Sequence, residues 1–343
     1  METKKIFLQC DYTQGCHEKI LQALTETNLI QTIGYGEDEY CISAKKKIKE
    51  RLKNENVEIY FLITGTGTNQ IVISSILRPY EGVISVETGH INVHETGAIE
   101  TTGHKVIVIT KELKLTSEML EKYFINQIND KLGVHVVQAK LVYLSLPTEN
   151  GLLYSKNELE KIYEVCKKYN IYFYIDGARL SYALTSEKND IKFEDLPNLC
   201  DVFYIGGTKC GALFGEAVVI SNDDIKKNFA YNIKLRGGLL AKGRLLGIQF
   251  YELFNDDIYF KIGKNAVDLA LYLKNELTKK GIQFYVESYT NQQFPIVTKE
   301  KYNEIIQKFE VTKWSENNEF VVIRVCTSWA TTKEIIDQFL NMF

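Results

Sequence analysis

The chain has 343 residues, 45% hydrophobic and 25% charged with only 4 prolines, a composition that supports a sizeable core and excludes a disordered or fibrous chain. A formal net charge of -3 and scattered lysines and arginines give no basic field for nucleic acid. Apolar runs are of strand length and the start is polar, while seven cysteines without a CxxC pair point to reduced thiols, so a cytoplasmic protein without nucleic-acid or membrane partners is expected.

In chain order, the first forty residues carry one helical pattern over 17–25 and glycine-bearing loops such as "IGYGEDEY", suited to complete a small lobe or to reach a second subunit. Strand-like runs then recur at 59–63, 83–86, 105–109, 140–145, 171–175, 202–205 and 217–220, several of them apolar throughout, with helical patterns between several. In "SKNELEKIYEVCKKYN", Ser155 has the position of an N-cap, Asn157-Glu158 opens a helix and Asn170 closes it. This alternation predicts an α/β fold whose mostly parallel sheet is covered by helices on both faces. Beyond about Ile248 the texture changes to a long amphipathic helix near 264–279, strands at "IQFYVES" and "FVVIRVC", and a final helix from Lys333. The expected organisation is a large domain over 41–249 and a small α+β lobe formed by 1–40 and 250–343.

Ligands of open α/β sheets gather at the carboxyl ends of the strands. Two strands end in residues with chemistry: one in Asp176-Gly177-Ala178-Arg179, the other in Gly206-Gly207-Thr208-Lys209. Taken singly, Asp176 reads as a turn residue or a partner of Arg179, and Lys209 as a solvated loop charge. Together at one sheet edge they match pyridoxal phosphate (PLP), which needs an amine to condense with its aldehyde and a carboxylate to keep its ring nitrogen protonated. Thr64-Gly65-Thr66-Gly67-Thr68-Asn69, between a strand and a helical pattern, offers amides and hydroxyls to a dianion and fits neither a dinucleotide fingerprint nor a Walker loop. In "ETGHINVHETG", His90 and His94 are four apart with Glu95 adjacent. On a helix these read as zinc ligands, although His17, His104 and His135 show no spacing that completes a site. Alternatively His90 lies on a cofactor ring, and His94 and Glu95 serve supporting or core roles.

The set "TGTGTN", "ETGHINVHETGAIE", "DGAR" and "GGTKCGALFGE", in this order, resembles the threonine aldolase and β-eliminating lyase family of fold-type I PLP enzymes over nearly the whole chain. The resemblance implies that Lys209 carries the cofactor, Asp176 pairs with the ring nitrogen, His90 stacks on the ring, and Gly65, Thr66 and Asn69 lie at or near the phosphate. It also implies Arg179 close to the substrate carboxylate, with Arg324 of "VVIRVCTSWAT" as the small-lobe arginine that grips it, a task to which a guanidinium fork is suited. The segment "KLRGGLLAKG" looks like the family's glycine-rich loop that approaches a partner subunit's phosphate, with Arg236 and Lys242 as the available cations; the family forms homodimers or homotetramers with sites between subunits. Where well-known threonine aldolases use a histidine on the substrate hydroxyl, "LPTENG" presents Glu149, able to take that proton if burial raises its pKa. Read locally, Glu149 is a loop acid before the Asn150-Gly151 turn. The expected reaction is retro-aldol cleavage of the Cα–Cβ bond of a small β-hydroxy amino acid, L-threonine or L-allo-threonine, to glycine and acetaldehyde, with Lys209, His90 and Glu149 catalytic and no metal. The alternatives are β-elimination or transamination with the same cofactor, and a metal-dependent hydrolase built on His90, His94 and Glu95.

Overall fold

The computed structural model describes residues 5–343. Seven strands build its central sheet: β1 Glu58–Leu62, β2 Glu81–Val86, β3 Val106–Thr110, β4 Gln138–Ser145, β5 Tyr172–Asp176, β6 Val202–Gly206 and β7 Glu216–Ile220. They lie in the order β1-β7-β6-β5-β4-β2-β3. Pairing is parallel from β6 through β5, β4 and β2 to β3, and β7 is inserted antiparallel between β1 and β6. Every residue of β6 and β7 is buried, as a sheet covered on both faces requires. Each strand coincides with one of the seven apolar runs.

Successive side chains of a strand leave on opposite faces, and here they feed two separate cores. Phe173, Ile175, Phe203 and Ile205 pack with Leu159, Ile162 and Ala266 on one side. Tyr143, Tyr174 and Tyr204 pack with Ile71, Val72 and Ile91 on the other. The helix Lys156–Lys168 begins in a capping box, with the Ser155 hydroxyl accepting from the Glu158 amide at 3.2 Å and the Glu158 carboxylate accepting from the Ser155 amide at 2.7 Å. Asn170, at φ +56°, turns the chain into β5.

The small C-terminal lobe has an antiparallel sheet of Ile296–Thr298, Phe320–Cys326 and Thr312–Glu316. The helices Ile258–Lys279 and Lys333–Leu340 cover it with Leu273, Leu277, Ile336 and Phe339, against Val321, Ile323 and Val325. The N-terminal segment divides: Ile6–Phe7 pairs in parallel with Phe309–Glu310 in this lobe, whereas the helix Glu18–Thr27 packs on Arg244–Phe254 beside the large sheet. One expected strand does not form. The segment "IQFYVES" makes a single bridge, Phe284 opposite Pro295, flanked by the Tyr285 amide donating to the Phe294 carbonyl at 2.9 Å and the Ile296 amide to the Gln283 carbonyl at 2.8 Å.

The carboxyl ends of β5 and β6 are held unusually close. The Gly206 amide donates to the Gly177 carbonyl at 2.9 Å; a Cβ at Gly177 would sit 1.9 Å from the Tyr204 carbonyl oxygen, and one at Gly206 2.2 Å from that of Ala178. Only glycine at both positions lets Asp176 and the Lys209 loop approach. Gly206→Ala is expected to destabilise the protein by about 1–3 kcal/mol or more, seen as a lower urea midpoint with little change in slope.

Candidate active site

A cavity of about 540 Å³ opens at the carboxyl edge of the sheet, where the small lobe meets it. Lys209, Asp176, His90, Glu149, Gly65, Thr66, Asn69, Arg179 and Arg324 all line it. Two of the expected residues do not. Arg236 and Lys242 are exposed outside it, with Arg236 Nε donating to Ser74 Oγ at 3.0 Å.

One end is built by the helix Gly65–Ile76. Thr64 caps it by accepting from the Gly67 amide at 3.1 Å, and among the described residues the amides of Gly65 and Thr66 have no protein acceptor. The opposite wall at this end carries Glu216, which accepts from the Thr208 hydroxyl at 2.8 Å and from the Gly207 amide at 2.9 Å. Burial pushes its carboxyl up to about 8 against those donors and nearby Lys209. Glu216 is therefore mostly uncharged at neutral pH and does not repel an anion.

Asp176 forms the floor. Its Oδ1 accepts from the Ala178 amide at 3.0 Å, and its Oδ2 from Tyr143 at 2.7 Å and Asn69 at 3.2 Å. Asn69, expected at or near a phosphate, lines the same cavity as Gly65 and Thr66 and directs its amide to Asp176. One turn into the helix, it faces the sheet, donating also to Glu95 at 2.7 Å and accepting from Tyr174 at 2.7 Å. Glu95 in turn meets His90 Nδ1 at 2.8 Å, and its second oxygen is buried without a partner. Burial opposes charge on His90, yet the Glu95 hydrogen bond and the charges of Glu149 and Asp176 hold its pKa above the ordinary 6.5. His94 lies 5.5 Å from His90 with its ring tilted by 57°; burial and the His90 charge lower its pKa. Among the described residues no three His, Cys, Asp or Glu side chains are grouped as a metal ion would need.

Lys209 is half-buried, and among the described residues its ammonium takes part in no hydrogen bond or ion pair. An unpaired amine in a cavity is a group available for chemistry. Arg324 is held by the Gln9 carbonyl at 3.0 Å and lies over the Trp314 ring at 5.6 Å, while its Nε is buried without a partner. Arg179 was expected simply beside a substrate carboxylate, but two of its nitrogens are already engaged by Asp11, at 2.7 and 3.0 Å. The third, Nη1, stands 3.9 Å from Glu149 Oε2. Asp11 is a residue that sequence reasoning missed: it lies 168 positions from Arg179, and no spacing links them. Glu216 had a weak signal, an acid opening an otherwise apolar strand.

Burial works to raise the Asp11 carboxyl, but Arg179, Lys209 and the Asn291 donor outweigh it and hold the pKa below its ordinary 3.8. With the folded value depressed, the pair's stabilisation is complete above about pH 4 and is lost as pH falls through that lower value. Asp11→Asn leaves a buried cation unpaired and is expected to cost about 3–5 kcal/mol in urea unfolding at neutral pH. Repeating the melts below pH 4 should narrow the gap between variant and parent.

The residues fit a phosphorylated pyridine aldehyde: free amides at a helix start, a neutral wall beside them, a hydrogen-bonded carboxylate on the floor and an unpaired amine between. With this sheet order, they define a PLP-dependent enzyme of fold type I. The chain belongs to the beta-eliminating lyase family, whose sequence model matches residues 8–300, and it is a PLP-dependent lyase. It superimposes on a threonine aldolase from Leishmania major with a TM-score of 0.95 and 40% identity, covering 98% of both chains. A low specificity L-threonine aldolase from Pseudomonas aeruginosa is 28% identical over 266 residues, 76% of this chain and 74% of the relative. A histidinol-phosphate aminotransferase from Clostridium acetobutylicum, with 16% identity, a TM-score of 0.72 and coverage of 98% of this chain and 97% of that one, shares the fold alone. No described helix is long and apolar enough to cross a membrane.

Proposed function

We propose that this chain cleaves L-threonine or L-allo-threonine to glycine and acetaldehyde by breaking the Cα–Cβ bond. The observation that carries the reading is the unpaired Lys209 amine facing the same cavity as Asp176 and Arg324, in a chain 40% identical to a threonine aldolase.

When bound, PLP supplies an electron-accepting ring that stabilises negative charge at the substrate Cα. Lys209 is the residue to tether it, Asp176 to keep its nitrogen protonated, and the amides of Gly65 and Thr66 to hold its phosphate at a helix start. His90, oriented by Glu95 at 2.8 Å, is the residue that would meet the cofactor ring. Arg324 offers its guanidinium, and Arg179 its remaining Nη1, to the substrate carboxylate, and this anchoring decides which Cα bond is presented for cleavage. Glu149 accepts the β-hydroxyl proton. Its side chain is only 12% exposed and receives a hydrogen bond from Ser145 at 3.1 Å.

The active form proposed is a homodimer or homotetramer in the cytoplasm. Leu29, Ile33, Tyr231 and Leu235 are 92, 71, 76 and 77% exposed, and the first two lie on a segment tied to the 234–244 region through Tyr35 and Arg244. An apolar face of this kind suits association, and it brings Arg236 and Lys242 to the neighbouring copy's phosphate end. The seven free, buried cysteines support a reducing compartment.

Incubation with L-threonine should yield glycine and acetaldehyde; a keto acid with ammonia would instead identify β-elimination. Lys209→Ala should fold but lose both the visible absorbance of the bound cofactor and all turnover, because the tether is gone. Arg324→Ala should keep the absorbance yet lose about 2–5 kcal/mol in kcat/KM for L-threonine, with Arg324→Lys recovering part of it, since a point charge lacks the fork.

A further inference from the structure

Between Glu149 and Asp176 runs a line of oxygen atoms. Ser145 Oγ lies 3.1 Å from Glu149 Oε1, the Tyr143 hydroxyl 3.2 Å from Ser145 Oγ, and the same hydroxyl 2.7 Å from Asp176 Oδ2. The strand supplies this line by its period. Tyr143 and Ser145 are two apart on β4 and so share a face, and Asp176 ends the adjacent β5 in register with Ser145. Tyr143 is 1% exposed, and the void beside the line is about 10 Å³, at the lower limit for a single water.

The protons along this line can be counted. With both carboxylates ionised, Ser145 donates to Glu149 and Tyr143 to Asp176, so the middle contact, the longest of the three, holds no proton. One more proton, on Glu149, completes it: Glu149 donates to Ser145, Ser145 to Tyr143 and Tyr143 to Asp176. We propose that Ser145 and Tyr143 are a two-hydroxyl relay that couples the protonation of Glu149 to that of Asp176. In the transfer the Glu149 O–H bond breaks as Ser145 gains that proton, the Ser145 proton passes to Tyr143, and the Tyr143 proton to Asp176 Oδ2. No proton is gained or lost, and the negative charge moves from Asp176 to Glu149. Burial and the charges of Asp176, Glu149 and Glu95 hold the Tyr143 phenol well above its ordinary pKa, so it stays a hydroxyl that both donates and accepts.

Other charges also face the two ends: Arg179 near Glu149, His90 and His94 across the cavity, Lys209 beside them, and Glu95 beyond Asn69. Their fields act through space whether or not the hydroxyls are present. A double-mutant cycle separates the two effects. The relay rests on the proposed PLP site, because the bound cofactor is what reports the state of Asp176. The measurement is the pH midpoint of the visible absorbance of the resting holoenzyme. Glu149→Gln is expected to move that midpoint by about half a pH unit or more in the parent, and by much less in Ser145→Ala or Tyr143→Phe, where only the through-space effect is left. Equal shifts in all three backgrounds, or no shift in the parent, would overturn the relay and leave the lyase reading standing. Absence of any visible band in the cofactor-loaded parent would overturn both.

Discussion

The site depends on two backbones touching where β5 and β6 end. Strands in a parallel sheet ordinarily diverge into their loops, but here the Gly206 amide is bonded back to the Gly177 carbonyl, with no space for a side chain on either glycine. The contact fixes the acid that ends one strand against the loop that carries the lysine after the other. Everything else in the cavity is added around that pair: a helix start on one side, the His90 segment across, and the small lobe as a roof carrying Arg324.

The electrostatics follow from how unevenly the buried charges are paired. Asp11 takes most of Arg179, so one nitrogen of that guanidinium is left for other work. Glu216 is kept largely uncharged by burial beside the helix start, whereas Asp176 accepts hydrogen bonds from three donors. Lys209 and the Arg324 Nε are left without partners. A largely neutral acid thus stands beside the helix start in the same cavity as an unpaired amine, an arrangement that suits an anionic ligand.

Much of this was legible in the sequence because strand ends in an α/β sheet are where ligands bind, and the residues ending β5 and β6 are a carboxylate and a lysine flanked by glycines. The seven apolar runs became seven strands for the same reason: burial on both faces leaves a continuous signal. Other features were hidden by distance or direction. The Asp11–Arg179 pair joins the start of the chain to its middle, and Asn69 reads as part of a phosphate loop until the helix turns its amide toward the sheet. The failed strand at "IQFYVES" has ordinary strand composition, and the segment itself does not reveal that its pairing stops after one bridge. Arg236 and Lys242 lie outside the cavity of their own chain, so one chain gives them no site.

The pairing of Ile6–Phe7 with Phe309–Glu310 has a consequence for biosynthesis. Chains emerge from the ribosome amino end first, yet the first described strand waits for a partner made some three hundred residues later. Asp11 meets Arg179 once the middle of the sheet is out, and Arg324 is made later still. A nascent chain that has just finished the large sheet therefore already carries Lys209, Asp176 and the helix start at Gly65, but not the arginine of the small lobe. The parts proposed to hold the cofactor are synthesised before the arginine proposed to select the substrate, so closing the ring between the two ends of the chain is the step that completes the cavity.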